Sequence, residues 1–125
     1  MMNEFKEINP EQIEENIFKL IGSDWMLITA GAKDNYNTMT ARWGGLGVLW
    51  GENVSFCFVR PQRYTYSFLE KYDHYTLSFF DESYRKALEF CGSHSGRDVD
   101  KAAAAGLTPI EENGVIFFNE ARLVI

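Results

Sequence analysis

The chain has 125 residues, enough for one domain around one core, and its 46% hydrophobic and 24% charged residues are ordinary for a soluble globular protein. A net charge of −6 argues against a nucleic-acid surface. No run approaches the roughly 20 apolar residues of a membrane span, and the first residues lack the apolar core of a signal peptide. Two cysteines, Cys57 and Cys91, make no disulfide framework and fit a reducing, cytoplasmic compartment.

Asn9-Pro10-Glu11-Gln12 predicts a helix start, with Asn9 as cap, Pro10 in the first helical position and Gln12 completing a capping box. Ile13, Ile17, Leu20 and Ile21 fall on one helical face, and Gly22 follows as a stop. Trp25 to Ala30 reads as a strand buried on both faces, and Gly31 to Asn37 as a turn. The run from Asn37 to Gly47 then reads as a loop. Three glycines among four residues (Gly44, Gly45, Gly47) are poor filling for a helix or strand and suit a close approach of backbone to a phosphate or a flat ring. Val48-Leu49-Trp50 resumes a short strand, and Gly51-Glu52-Asn53 is another turn.

Val54 to Arg60 alternates as a strand, with Val54, Phe56 and Phe58 on one side, and Pro61 ends it. Arg63 to Tyr72 predicts a short helix with Tyr64, Phe68 and Tyr72 on one face. His74 to Phe80 is the clearest strand. A helix capped by Asp81 or Ser83 runs through Tyr84, Leu88 and Cys91, and Gly92 to Arg97 breaks it. Asp98 to Ala105 is an Ala-rich helical turn or two closed by Gly106. Val115 to Phe118 and Ala121 to Ile125 read as two more strands. Five or six strands with short helices predict a small antiparallel barrel in one domain. The apolar, strand-like final residues suggest a chain cut in mid-sheet, as a C-terminal truncation would leave it.

Cys91 and His94 have a Cys-x-x-His spacing, but a metal site needs three or four ligands and only Cys57 and His74 remain as candidates. Gly92-Ser93-His94-Ser95-Gly96 fails as a nucleophile elbow because its middle residue is His. Ser93, Ser95, Gly96 and Arg97 with Lys101 read better as an anion-binding loop opening a helix, or equally as a solvated helix start. Arg60, Arg63 and Thr65 have the same flavour at another helix start.

Three motifs together carry a resemblance: Asn37-x-Met39-Thr40-Ala41-x-Trp43-Gly44, then Arg60-Pro61-x-Arg63-Tyr64-Thr65, then Cys91-Gly92-x-x-Ser95-Gly96-Arg97-Asp98-x-Asp100-Lys101. From about Trp25 to the last residue the chain resembles the flavin reductase-like family, nearest its flavoredoxin branch. The resemblance implies the FMN-binding split-barrel fold: a homodimer of six-stranded Greek-key β-barrels with FMN held non-covalently near the interface. It implies that Asn37, Thr38, Met39, Thr40, Ala41, Arg42 and Trp43 line the isoalloxazine and ribityl chain. Arg60, Arg63, Tyr64 and Thr65 would lie near the phosphate, and Ser93, Ser95, Gly96, Arg97 and Lys101 would complete its cradle. Cys57 would be a small neighbour of the ring. Family members commonly carry Ser where this chain has Arg42.

On that reading the function is hydride transfer from NAD(P)H to FMN and onward electron transfer to an unidentified acceptor, with no individual catalytic side chain. One alternative is an FMN-binding electron carrier without nicotinamide chemistry. The other is a split-barrel module holding a different anionic cofactor, or none.

Overall fold

The computed structural model describes residues 2–125. The capping box at Asn9 is present: its Oδ1 accepts from the Glu11 N–H at 2.9 Å, and Gln12 Oε1 accepts from the Asn9 N–H at 2.8 Å. It starts a single 3-10 turn, Pro10–Gln12, rather than the long helix expected. Ile13 leaves that turn in extended conformation, and Asn16 ties off a second one, accepting from the Lys19 N–H at 3.2 Å. Helix α1 (Ile17–Lys19) and a wide turn over Leu20–Asp24 follow. Two local caps thus divide one apolar stripe into separate turns.

Strand β1 (Met26–Ala32) is the centre of the molecule. It pairs antiparallel with β2 (Asn35–Ala41) on one side and with β5 (Tyr75–Phe79) on the other, and β8 (Leu123–Val124) completes a four-stranded sheet in the order β2-β1-β5-β8. Met26 to Ala30 are all buried, as an apolar run covered on both faces requires. Met26 and Ile28 pack with Leu20, Met39, Leu77 and Phe79 on one face, while Leu27 packs with Leu88, Cys91 and Phe118 on the other. Full burial of side chains such as Leu27 and Ile28 contributes roughly 1.5–3 kcal/mol each. Thr29 and Thr38 are buried as a cross-strand pair, their hydroxyls 2.9 Å apart.

Two hairpins lie off this sheet. Strands β3 (Gly44–Leu49) and β4 (Glu52–Cys57) pair only with each other, through a turn in which Trp50 and Gly51 have φ of 50° and 78°. Strands β6 (Pro109–Glu112) and β7 (Val115–Phe118) turn through Asn113 and Gly114, with φ of 53° and 80°. The Thr76 hydroxyl donates to the Ile116 carbonyl and ties β7 to the main sheet. The fold is mainly β, as expected, but with eight strands in three sheets among the described residues and not one closed six-stranded barrel.

The loop expected over Asn37 to Gly47 is instead two strands. Gly45 stands opposite Phe56, and a Cβ built on Gly47 would meet the Phe56 ring at 3.3 Å. The glycines therefore clear a shallow groove for a cross-strand aromatic ring. Four helices complete the chain: α1, α2 (Tyr64–Lys71), α3 (Arg85–Ser93) and α4 (Lys101–Ala105). Along α2 and its C-cap, the Tyr64 and Phe68 rings meet edge to face with centroids 5.1 Å apart, and Phe68 and Tyr72 stack at 6.4 Å. Among the described residues, no helix is long and apolar enough to cross a membrane.

Candidate functional site

The end of β2, the start of α2 and the end of α3 converge on two adjoining cavities of about 570 and 220 Å³ that share Gln62, Arg63, Gly92 and Ser93. Ligand sites are commonly about 300–1,000 Å³. Their meeting depends on small residues. A Cβ on Gly92 would lie 3.2 Å from the Thr40 Cβ, so glycine lets the last turn of α3 settle against β2. There the Thr40 hydroxyl donates to the Leu88 carbonyl.

In the small cavity, Asn37 Nδ2 donates to the Thr65 hydroxyl at 2.7 Å, and both residues are buried. The Thr65 O–H keeps its own proton to donate. A Cβ on Gly96 would stand 1.9 Å from Asn37 Oδ1, so only glycine lets the loop after α3 reach this amide. Ser95 Oγ holds that loop in a tight turn by accepting from the Arg97 N–H at 3.1 Å. Arg97 lies over the Tyr64 ring at 4.7 Å. The start of α2 carries no side-chain cap; the Tyr66 N–H donates to the Arg63 carbonyl at 3.0 Å, and the N–H groups of Tyr64 and Thr65, which line this cavity, have no partner among the described residues. By contrast α4 has only five residues, and Asp100 already accepts from the Ala103 N–H. The stretch expected beyond Ser93 therefore contributes to the small cavity through Ser93, Ser95, Gly96, Arg97 and Lys101, with the Ala103 N–H at the start of α4 already taken by Asp100.

Lys101 is the most unusual cation. It is 5% exposed, and its Nζ donates to the Cys91 carbonyl at 3.1 Å, one of the last-turn carbonyls of α3. Burial, with the Arg63 charge adding to it, pushes the ammonium down to about 8, against a partial offset from Cys91. Burial pushes the Cys91 thiol up to about 11, against the pull of Lys101. Among the described residues, none of Arg42, Arg60, Arg63, Arg97 or Lys101 has a carboxylate oxygen within 4.0 Å; the ion pairs are Lys19–Asp24, Arg122–Glu15 and Arg122–Asp24.

The large cavity is walled by Met39, Thr40 and Ala41 from β2 and by the connection Arg42-Trp43. These two residues fall between the β1–β2 and β3–β4 ladders, so their N–H groups are not committed to strand pairing. Arg42 lies 5.6 Å from the Trp25 ring and Arg60 5.4 Å from the Trp43 ring. Trp25 has φ 70° and ψ 170°, a region that costs a non-glycine residue on the order of 1–3 kcal/mol. Arg85 fixes it, its guanidinium 3.4 Å from the ring and its Nη1 donating to the carbonyls of Ser23 and Asp24.

Of the residues expected at the site, Met39 to Trp43, Arg60, Arg63 and Ser93 line the large cavity. Asn37, Arg63 to Thr65, Ser93, Ser95 to Arg97 and Lys101 line the small one. Two lie elsewhere. The Thr38 hydroxyl turns into the sheet toward Thr29 and the Ile28 carbonyl. Cys57 lines neither cavity; it is half-buried beside Tyr75, and burial raises its thiol. The Cys-x-x-His pair also diverges: Cys91 is in the core, while His94 is exposed with its ring stacked on Phe90 at 4.0 Å. Trp25, Phe58, Gln62, Leu88 and Glu89 also line the large cavity without having been foreseen. The alternation of Phe58 with Phe56 was a signal for one of them, but nothing local distinguishes Trp25 from an ordinary strand residue.

Residues 18–125 match the family described as the flavin reductase like domain. No curated protein matches the sequence. Among solved structures, flavoredoxin of Desulfovibrio vulgaris (Miyazaki F) is similar at 25% identity and a TM-score of 0.66, over 77% of this chain and 54% of that one. An FMN-binding protein from Thermus thermophilus, solved with bound 1-cyclohex-2-enone, is similar at 21% identity and 0.72, over 98% and 66%. Nitrilotriacetate monooxygenase component B from Bacillus cereus is similar at 21% and 0.66, over 98% and 66%. The chain thus spans less than two thirds of the length of each.

Proposed function

The chain belongs to the flavin reductase-like family, and from that premise we propose that it is an FMN-dependent oxidoreductase holding the cofactor across the two cavities. The observation that carries this reading is the junction itself: a small cavity with three cations and no carboxylate opens into a larger one walled by Trp25, Trp43 and Phe58. That division suits a phosphate ester joined to a flat ring system. Arg63, Arg97 and Lys101, the Thr65 hydroxyl and the uncapped start of α2 would hold the phosphate. Gly96 keeps room for it. The free N–H groups of Arg42 and Trp43 would donate to the polar edge of the ring.

When bound, FMN supplies the hydride and electron chemistry, with NAD(P)H as donor and an unidentified acceptor downstream. The protein positions the ring, excludes water on the β2 side and neutralises the phosphate. Among the described residues, Glu89 and arginines are the only charged side chains lining the large cavity, which agrees with chemistry resident in the cofactor. A second reading, an electron carrier without nicotinamide chemistry, is favoured by the flavoredoxin likeness at 25% identity. We further propose a homodimer through the β3–β4 hairpin, where Trp43, Val48, Leu49, Trp50, Phe56 and Phe58 are all exposed.

Titration of the purified protein with FMN tests the first reading. Saturable quenching of flavin fluorescence with a shifted visible spectrum is expected, and no change at any concentration refutes it. Rapid mixing of the loaded protein with NADH or NADPH separates the two readings: bleaching marks a reductase, and a persistently oxidised spectrum marks a carrier. Sedimentation equilibrium tests the dimer, which a single monomeric species at all concentrations overturns.

A further inference from the structure

Five of the chain's 12 lysines and arginines line the two cavities, against one carboxylate, Glu89, in a chain of net charge −6. A phosphate monoester carries about −1.5 to −2 at pH 7. Arg63, Arg97 and Lys101, all in the small cavity, already match it. Arg42 and Arg60 remain. Neither lines the small cavity, both are exposed, and neither has a carboxylate partner among the described residues.

Their setting is built rather than incidental. Each guanidinium lies over an indole, Arg42 over Trp25 and Arg60 over Trp43, and all four residues line the same cavity. An arginine held on an aromatic face loses little freedom when it binds an anion, and its planar fork stays presented. Trp25 holds its place at the expense of a backbone conformation that few tryptophans adopt, with the Arg85 guanidinium 3.4 Å from its ring.

We propose that this end of the large cavity is a second binding site, for a planar anionic molecule whose ring lies against the indoles and whose carboxylate or phosphate meets Arg42 and Arg60. The inference rests on the reading of the small cavity as the FMN phosphate site, and it names the class of second substrate that would share the large cavity with the flavin ring. A neutral planar molecule would gain only the ring contacts.

The test compares 2-naphthoate with 2-naphthalenemethanol, which share a ring and differ in charge. Each is titrated into FMN-loaded protein at low salt, and binding is followed by calorimetry and tryptophan fluorescence. Naphthoate should bind about tenfold or more tighter, since hydrogen bonds to a charged partner have that worth. The gap should shrink as salt screens the exposed arginines. The Arg42→Gln/Arg60→Gln double variant should lose the gap while retaining 2-naphthalenemethanol binding and the wild-type circular dichroism spectrum. Arg42→Lys/Arg60→Lys, which keeps charge without the planar fork, should retain part of it and serves if the glutamine variant fails to fold. Equal binding of the two compounds by the wild type overturns the proposal, as does an undiminished gap in the glutamine variant or, if that fails to fold, in the lysine variant. Failure to take up FMN sinks the cofactor reading alone; the same titration on the FMN-free protein still decides between a charge preference and none.

Discussion

Replacing Lys101 with Met should change how the protein's stability responds to pH. Lys101 is buried, and its pKa falls from 10.5 to about 8 in the folded state. The native protein therefore releases this proton first. Between about pH 8 and 10.5 the unfolded chain binds more protons, and stability rises with pH. Cys91 and Tyr36 act in the opposite sense: burial raises them from 9.0 and 10.0 to about 11 and 12, with the Asp100 charge adding at Tyr36. Their loss of stability sets in as pH approaches 9 for Cys91 and 10 for Tyr36, and the raised Cys57 thiol adds to it. From pH 7 to 9 Lys101 should contribute on the order of 1 kcal/mol, and Cys91 should offset a smaller part of it. The wild type should gain up to about 1 kcal/mol by pH 9, read as a higher urea midpoint under reducing conditions. Lys101→Met should show no rise. A bound phosphate prefers the ammonium form, so FMN affinity of the wild type should also weaken above pH 8. At pH 7 the variant should bind FMN roughly ten- to a hundredfold more weakly, the loss of about 1.5–3 kcal/mol for a charge-assisted hydrogen bond. An equal rise in stability for both proteins, or none in the wild type, would refute the assignment of the buried charge.

Gly96→Ala places a methyl group 1.9 Å from Asn37 Oδ1 and 3.2 Å from the Tyr64 ring. It should loosen the Asn37–Thr65 bond and lower FMN affinity at least about tenfold in a fluorescence titration, because the group left buried without its partner is worth 1–3 kcal/mol. Unaltered affinity would remove Gly96 from the site. Trp50 is 92% exposed in left-handed conformation, so Trp50→Asn should raise the thermal midpoint by a few degrees, reflecting about 1 kcal/mol of relieved strain. A lower midpoint would contradict the strain argument. The Ser78 hydroxyl is fully buried with no hydrogen-bond partner among the described residues, and Ser78→Ala should be neutral or stabilising by about 1 kcal/mol in urea unfolding; a clear loss of stability would show that the hydroxyl is satisfied.

Period and composition revealed the parts of the fold that are locally determined. The buried run of β1, the strand at β5 and the Tyr64, Phe68 and Tyr72 stripe of α2 all read correctly, because each buries a face that its own spacing defines. Two errors had physical causes. The capping box at Asn9 gave the right hydrogen bonds but no information about length, and Asn16 restarted the chain. The glycines of β3 looked like a ligand loop because their partner, the Phe56 ring, arrives from the next strand. Strand β6 was missed, although Asn113-Gly114 is a strong two-residue hairpin signal. At the site, three motifs marked most residues of the small cavity, because two short runs, Arg63 to Thr65 and Ser93 to Arg97, supply most of its lining. The large cavity also needs Trp25, Leu88 and Glu89, brought together only by the packing of α3 against the sheet.

The two-stranded ribbon formed by β3 and β4 sets a hierarchy of opening. An isolated pair of strands is marginal in water, whereas β1 has a neighbour on each side and core on both faces. Amide exchange at Ile28 should therefore require near-global unfolding, while Ser55 and Val54 exchange through local fraying. Trp43 stands at the foot of that ribbon, and Phe58 and Arg60 leave it on the other strand, so one wall of the large cavity hangs from a two-stranded ribbon outside the main sheet. Whatever fills the cavity will slow exchange there first, which makes the ribbon's amides a direct reporter of occupancy.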